Sequence, residues 1–160
     1  MERDVTWPRI MTRRGSHAMG AAAAVVLWLS IGARADAPRG QYTDLGDGTV
    51  RDNLTGLVWQ QAVDARPQKY ANARLYCLDL TLGGSSVWRH PSVLELQSIV
   101  DETLWNPSID PTFFPGTRAT QFWSASSVAG FPGYAWSVDF VYGEARDVDV
   151  SASHHARGVR

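Results

Sequence analysis

A length of 160 residues and 44% hydrophobic content fit one soluble domain and exclude a second independent core, since a unit of this size buries about two-thirds of its unfolded surface. The single cysteine, Cys77, rules out an intramolecular disulfide and any zinc site built on several thiolates. The net charge of −1 averages two unlike segments: residues 1–35 carry Arg3, Arg9, Arg13, Arg14 and Arg34 against Glu2 and Asp4, so residues 36–160 hold ten bases, fourteen acids and a net charge of −4. An acidic unit without a Lys/Arg run excludes nucleic acid as the main partner.

The first segment reads as an address. Basic residues around Arg13-Arg14 precede an uncharged run from Ala18 to Ala33, which ends in Ala33-Arg34-Ala35 before Asp36. Basic start, apolar stretch and small-x-small end predict a secretory signal peptide over 1–35, cleaved after Ala35. The apolar run is short of the roughly 20 residues a spanning helix wants, and an uncleaved N-terminal anchor is the alternative. Met11 is a second candidate start, and Arg13-Arg14 gives only weak support to a twin-arginine route. Cleavage would leave residues 36–160 as one domain without a membrane span, secreted, periplasmic or on the cell surface.

In chain order, Gln41-Tyr-Thr43 and Thr49-Val-Arg51 flank Asp44-Leu-Gly-Asp-Gly48, and Asp-Gly between β-prone residues predicts a hairpin with positive φ at both turn positions. Asp44, Asp47 and Asp52 do not have calcium-loop spacing and read as turn chemistry. Asn53-Leu-Thr-Gly56 turns the chain into a strand at Leu57–Gln60, and Asn53-Leu54-Thr55 also fits the short glycosylation pattern. A helix is expected from Lys69 to Leu82, stopping at Gly83-Gly84. Its apolar positions Ala73, Tyr76, Cys77 and Leu80 fall at i, i+3, i+4 and i+7, so Cys77 reads as a buried small hydrophobe rather than a catalytic thiol.

Trp88-Arg-His-Pro91 is extended, because Pro91 keeps His90 out of the helical region. Ser92-Val-Leu-Glu95 is a capping box that opens a second helix with an apolar stripe of Val93, Leu96, Ile99 and Val100. Residues 103–120, with three prolines and Trp105, Phe113 and Phe114, form a long irregular loop of the kind that carries function. Strands follow at Gln121–Ala125, Gly133–Phe140, Ala145–Val150 and His154–Val159, with Gly143 in a hairpin turn. Strands, two helices, a loop and strands again make an α+β fold.

The chain carries Tyr42-Thr43, Gly46-Asp-Gly-Thr-Val50, Asp52-Asn-Leu-Thr-Gly-Leu-Val-Trp59, Ala73 with Tyr76-Cys77, and Leu82-Gly-Gly84. Trp88-Arg89, Pro91, Glu95-Leu96, Val100-Asp101, Ile109-Asp110, Phe114-Pro115, Phe122-Trp-Ser124, Ala135-Trp136, Val138-Asp-Phe140 and Arg157-Gly-Val-Arg160 follow in order. With these pieces it resembles the Lcl C-terminal domain family of bacterial exported proteins. The resemblance implies a C-type-lectin-like fold, two helices beside antiparallel sheets, with a long irregular loop region carrying any ligand site. Val87, His90 and Gly158 depart from it: members often have Asp, usually Leu, and in many cases cysteine at these places.

The family's namesake resembles an adhesin domain that binds sulfated polysaccharides. The resemblance therefore implies a non-enzymatic binding module for a surface glycan or a protein partner. Its candidate surface is the long loop and its neighbours, Trp105, Asn106, Asp110, Arg118 and Tyr134, with aromatic faces for sugars and polar groups for hydroxyls. The net charge of −4 opposes a sulfated ligand unless Arg118, Arg146, Arg157 and Arg160 converge. The alternative is a structural or assembly component of an exported or cell-surface complex.

An enzyme is the weakest reading. The broader fold class includes formylglycine-generating enzymes, which need a cysteine pair, and no nucleophile elbow is present. His154-His155 with Asp147 or Asp149 is a poor metal set, because neighbours on a strand face opposite ways, and reads as a solvated strand end. No catalytic residue, metal or cofactor is expected.

Overall fold

The computed structural model describes residues 39–63 and 66–160, and the expected export signal lies outside the described residues. The order is β1 (Tyr42–Asp44), β2 (Thr49–Asp52), β3 (Val58–Gln60), β4 (Gln68–Lys69), α1 (Tyr70–Leu78), α2 (Val93–Gln97), β5 (Gln121–Val128), β6 (Phe131–Asp139), β7 (Glu144–Asp149) and β8 (Ser153–His154). The strands pair as three antiparallel sheets, β1-β2-β3, β4-β8 and β5-β6-β7. Two helices beside small antiparallel sheets make the α+β architecture. No helix among the described residues is long and apolar enough to cross a membrane.

The first hairpin forms where expected but turns differently. Asp44 pairs with Val50, and the Leu45 N–H donates to the Thr49 carbonyl at 3.0 Å. The positive φ angles fall on Gly46 (72°) and Gly48 (83°), not on Asp47. Two glycines separated by one residue allow a longer loop, so the tight two-residue turn is unnecessary. Asp44 and Asp47 accept the backbone N–H groups of Gly46 (2.8 Å) and Thr49 (3.1 Å), and Asp52 accepts that of Leu54 (2.9 Å). All three carboxylates act as turn residues.

Helix α1 is shorter than its periodicity suggests, ending at Leu78 rather than Leu82. Gly83 and Gly84, with φ of 58° and 67°, do not stop it; they form a two-residue turn across which Leu82 and Ser85 pair. The capping box of α2 is present in full: the Glu95 N–H donates to the Ser92 hydroxyl, and the Ser92 N–H to the Glu95 carboxylate. Arg89 holds that carboxylate with two bonds of 2.8 and 2.6 Å, which pulls the Glu95 pKa down to about 2, with the Ser92 bonds adding to it.

The final segment departs most from expectation. Only Ser153–His154 is strand; beyond it Val159 bridges both Trp59 and Arg89, tying the C-terminus between β3 and the stretch before α2. His154 and His155 are not a solvated strand end. Their rings pack against Trp123 (4.7 Å) and Phe122 (5.4 Å), on opposite sides of β5. Gly158, where a cysteine would stand in many relatives, has its missing Cβ position 2.4 Å from Leu80 Cδ1 and 3.3 Å from Trp88 Cε3. Those side chains fill the space a side chain at 158 would need, while Cys77 is buried as a free thiol.

Two buried clusters result. Phe122, Val138 and Phe140 pack with Leu96, Ile99, Ile109, Phe114 and the β1–β3 residues Tyr42, Val50 and Trp59. Trp123 and Ala135 pack with Ala73, Cys77 and Ala156 on the α1 side.

Candidate functional site

The long loop is irregular but anchored. Asp101 N–H donates to the Ser108 carbonyl (3.1 Å), Ser108 N–H to the Phe140 carbonyl (2.7 Å) and Asn106 N–H to the Val141 carbonyl (3.0 Å). These bonds attach residues 101–108 to the end of β6. Asn106 is the one non-glycine among the described residues with positive φ (53°), a conformation asparagine tolerates better than most residues. Gly143 (φ 80°) lets the β6–β7 turn press against the loop and the residue before it, since a Cβ there would lie 2.4 Å from Val100 Cγ1 and 3.4 Å from Ser108 Oγ. The Asn106–Val141 bond brings Trp105 and Tyr142 to the same end of the domain, where they are 72% and 62% exposed. Two large aromatic side chains left in water, Trp105 on the anchored loop and Tyr142 on the β6–β7 turn bonded to it, mark a candidate contact surface.

The start of the same loop lines a cleft of about 220 Å³, walled by Tyr42, Ile99 and Val100 and rimmed by Gln41, Asp101, Glu102 and Asp110. Gln41 Nε2 donates to the Tyr42 hydroxyl (3.0 Å). Burial, with Asp52, Asp110 and Asp101 nearby, pushes the Tyr42 pKa well above the ordinary phenol value, so it stays a neutral donor. Asp110, only 2% exposed, turns one oxygen to the Thr112 N–H (2.7 Å). Asp101 accepts the Thr103 N–H (2.9 Å) and the Thr103 hydroxyl through one oxygen, while the other is buried without a partner. Among the described residues no three His, Cys, Asp or Glu side chains are grouped to hold a metal ion. Carboxylates, an amide and a phenol suit hydroxyls or an ammonium group and repel sulfates and phosphates.

The five residues expected to form one surface are divided. Trp105 and Asn106 stand on the anchored loop and Asp110 lines the cleft. Arg118 is exposed but lines neither this cleft nor a second one. Tyr134 sits near the opposite end of β6, six residues before Phe140, roughly 20 Å away at about 3.3 Å per strand residue. There it lines the second cleft, of about 280 Å³, with Val128, Phe131 and Asp147.

The four arginines do not converge either. Arg146 pairs with Glu144 (2.7 Å) and Asp139 (3.8 Å), and Arg160 lies over the Trp88 ring at 5.4 Å. Arg157 is fully buried, donating to the carbonyls of Gln60 (2.6 Å) and Gln61 (2.8 Å) and the Thr117 hydroxyl (2.6 Å), with its guanidinium 4.8 Å from the Phe114 ring centroid. Sequence reasoning missed Gln41, Tyr42, Asp101, Glu102, Phe131 and Tyr142. For Tyr142 a signal existed: an aromatic beside a turn glycine has nowhere to bury.

No curated protein matches the chain. The Lcl C-terminal domain family matches residues 48–160, which take in β2 to β8, both helices and the anchored loop. The chain belongs to the Lcl C-terminal domain family.

Proposed function

We propose that the chain is exported, secreted or held in the periplasm or at the cell surface, and that its domain, in a C-type-lectin-like arrangement, is a non-enzymatic binding module for a surface glycan or a protein partner. The observation that carries this reading is the exposed pair Trp105, on the anchored loop, and Tyr142, on the turn bonded to it, together with a cleft of carboxylates, amide and phenol that the start of the same loop lines. Aromatic faces stack on the apolar side of a sugar ring, and the cleft groups bind its hydroxyls. The acidic rim and the separation of the arginines favour neutral or amino sugars over sulfated ones. A glycan array followed by titration tests this. Neutral or amino glycans should bind, Trp105→Ala should weaken binding about tenfold, and a heparin column at low salt should not retain the protein. An array without hits would sink the glycan form.

A structural or assembly role is the second reading, favoured by Leu75 and Leu78, exposed one turn apart on α1. Light scattering after size exclusion separates the two: a stable oligomer supports assembly, a monomer the single-site module.

A further inference from the structure

The second cleft lies away from the loop surface, at the tip of the β5–β6 hairpin. Phe131 is 61% exposed and Tyr134 is half-exposed, and their rings stand nearly perpendicular (84°) with centroids 6.3 Å apart. Two rings at right angles form a corner, and Val128 and Asp147 complete the lining.

The charged residues paired with this stretch of β6 are aspartates. Tyr134 pairs with Asp149 and Trp136 with Asp147 across β6 and β7, and paired residues of antiparallel strands project from the same face. Both aspartates therefore lie on the face of Tyr134. Asp149 accepts the Ser151 N–H at 2.8 Å, while among the described residues Arg146, the base next to Asp147, is bonded to Glu144. Arg146, the base of β7, projects from the other face, where Glu144 and Asp139 hold it. The corner thus combines aromatic walls, an apolar side chain and negative charge, with no base among its described lining residues. A hexose would leave most of its hydroxyls without partners here, and an anion would be repelled. A group that carries positive charge, donates no hydrogen bond and presents methyl groups to ring faces fits each feature.

We propose that the Phe131–Tyr134–Asp147 corner binds a quaternary ammonium group, the trimethylammonium of choline-type ligands. The positive charge lies against the ring faces and toward Asp147, and the methyl groups replace water on Phe131, Tyr134 and Val128. Two sources carry this chemistry, a free solute and a choline headgroup displayed on a surface.

Titrating the purified full chain with choline chloride, followed by amide NMR shifts, tests the proposal. Saturable shifts should centre on residues 128–134 and 147. Phe131→Ala and Asp147→Asn should each weaken binding by about fivefold or more, and thermal melts verify that these exposed substitutions leave the fold intact. The neutral isostere 3,3-dimethylbutan-1-ol is the control for charge. Equal binding of alcohol and choline, or no saturable shift with millimolar choline, overturns the proposal. Once choline binds, capture by phosphatidylcholine but not phosphatidylglycerol vesicles assigns a surface headgroup, and choline binding without capture assigns a free solute. Trp105→Ala should leave choline binding unchanged, so this result and the glycan result stand or fall separately.

Discussion

On one face of the β5–β6–β7 sheet, Phe122 and Val138 meet Leu96, Ile99, Ile109 and Phe114, with the Arg157 guanidinium among the rings. On the other, Trp123 is the one large side chain in a buried cluster otherwise made of Ala73, Cys77, Ala135 and Ala156. Neighbours on β5 make the division, since Phe122 and Trp123 project to opposite sides. The first face is held by volume, with each large apolar side chain contributing roughly 1.5–3 kcal/mol. The second is held by close approach: small residues let α1 lie near the sheet around one buried indole, with Tyr70 and Tyr76 packed at its margin, and the indole N–H donates to the Gln68 carbonyl at 2.9 Å. Removing atoms should therefore damage the first face most, and adding charge should damage the second.

The largest effect is expected at Arg157. Burial opposes its charge and draws its pKa down to about 9, and its partners are carbonyls, a hydroxyl and two rings rather than carboxylates. Arg157→Ala strips three acceptors of their donor and leaves a cavity beside Phe114 and Phe122. The cost should be about 3–5 kcal/mol, a large share of the roughly 5–15 kcal/mol that holds a domain folded. Arg157→Met sharpens the test by restoring volume without the donors. The carbonyls of Gln60 and Gln61 cannot be replaced, so Met should still lose about 2 kcal/mol or more in urea unfolding. A Met variant as stable as the parent would show that volume alone holds this face.

Acid should act on the other face first. His90 Nε2 donates to the Trp123 carbonyl (2.9 Å), so that nitrogen carries the proton, and Nδ1 is buried without a partner. Protonation would place a second N–H where nothing accepts it; burial, with the charge of Arg74 adding, lowers the His90 pKa from 6.5 to about 4. The unfolded chain takes up the proton first, so stability falls as pH drops from 6.5 to 4 and levels off below, by about 3 kcal/mol in all. Glu95 has the opposite form: its folded pKa of about 2 lies below the ordinary 4.5, so its contribution is present above 4.5 and is lost between 4.5 and 2. Thermal midpoints followed from neutral pH to about pH 3 should show both windows. His90→Gln should flatten the upper one, apart from the part due to His154, whose pKa burial and His155 also lower. An unchanged upper slope in that variant would place the acid sensitivity elsewhere.

Local signals were legible in the sequence. Ser92 and Glu95 cap each other within one helical turn, Gly56 and Gly143 occupy the turns their neighbours predict, and the spacing of Ala73 and Cys77 marks the buried side of α1. Arg157 was not legible, because Gln60 and Thr117, which receive its hydrogen bonds, are 97 and 40 residues away in sequence. Gly83-Gly84 was misread for a related reason: positive φ serves a helix end and a hairpin turn equally, and the pairing of Leu82 with Ser85 decides. Asp110 and Tyr134 are both near the loop in sequence but line different clefts. The length of β6 separates them, whereas the Asn106–Val141 backbone bond joins the neighbours of Trp105 and Tyr142, residues distant in sequence.

The smallest effect is expected at Cys77, and it separates the two faces most cleanly. The thiol is buried against Trp123 and the alanines, with burial pushing its pKa up to about 12. Cys77→Ala removes one sulfur from a cluster that can settle around the gap, so it should cost about 1 kcal/mol. Leu96→Ala on the first face should cost about 2–5 kcal/mol. In the native protein the thiol is neither exposed nor ionised, so a disulfide reagent should react only when α1 leaves the sheet. If the α1 side opens alone, labelling will outpace global unfolding and Arg157→Ala will change its rate little. If both faces open together, Arg157→Ala will speed labelling as much as it lowers the unfolding free energy. The second outcome would mean that the faces differ in composition but not in cooperativity, and that the small-residue side borrows its stability from the large one.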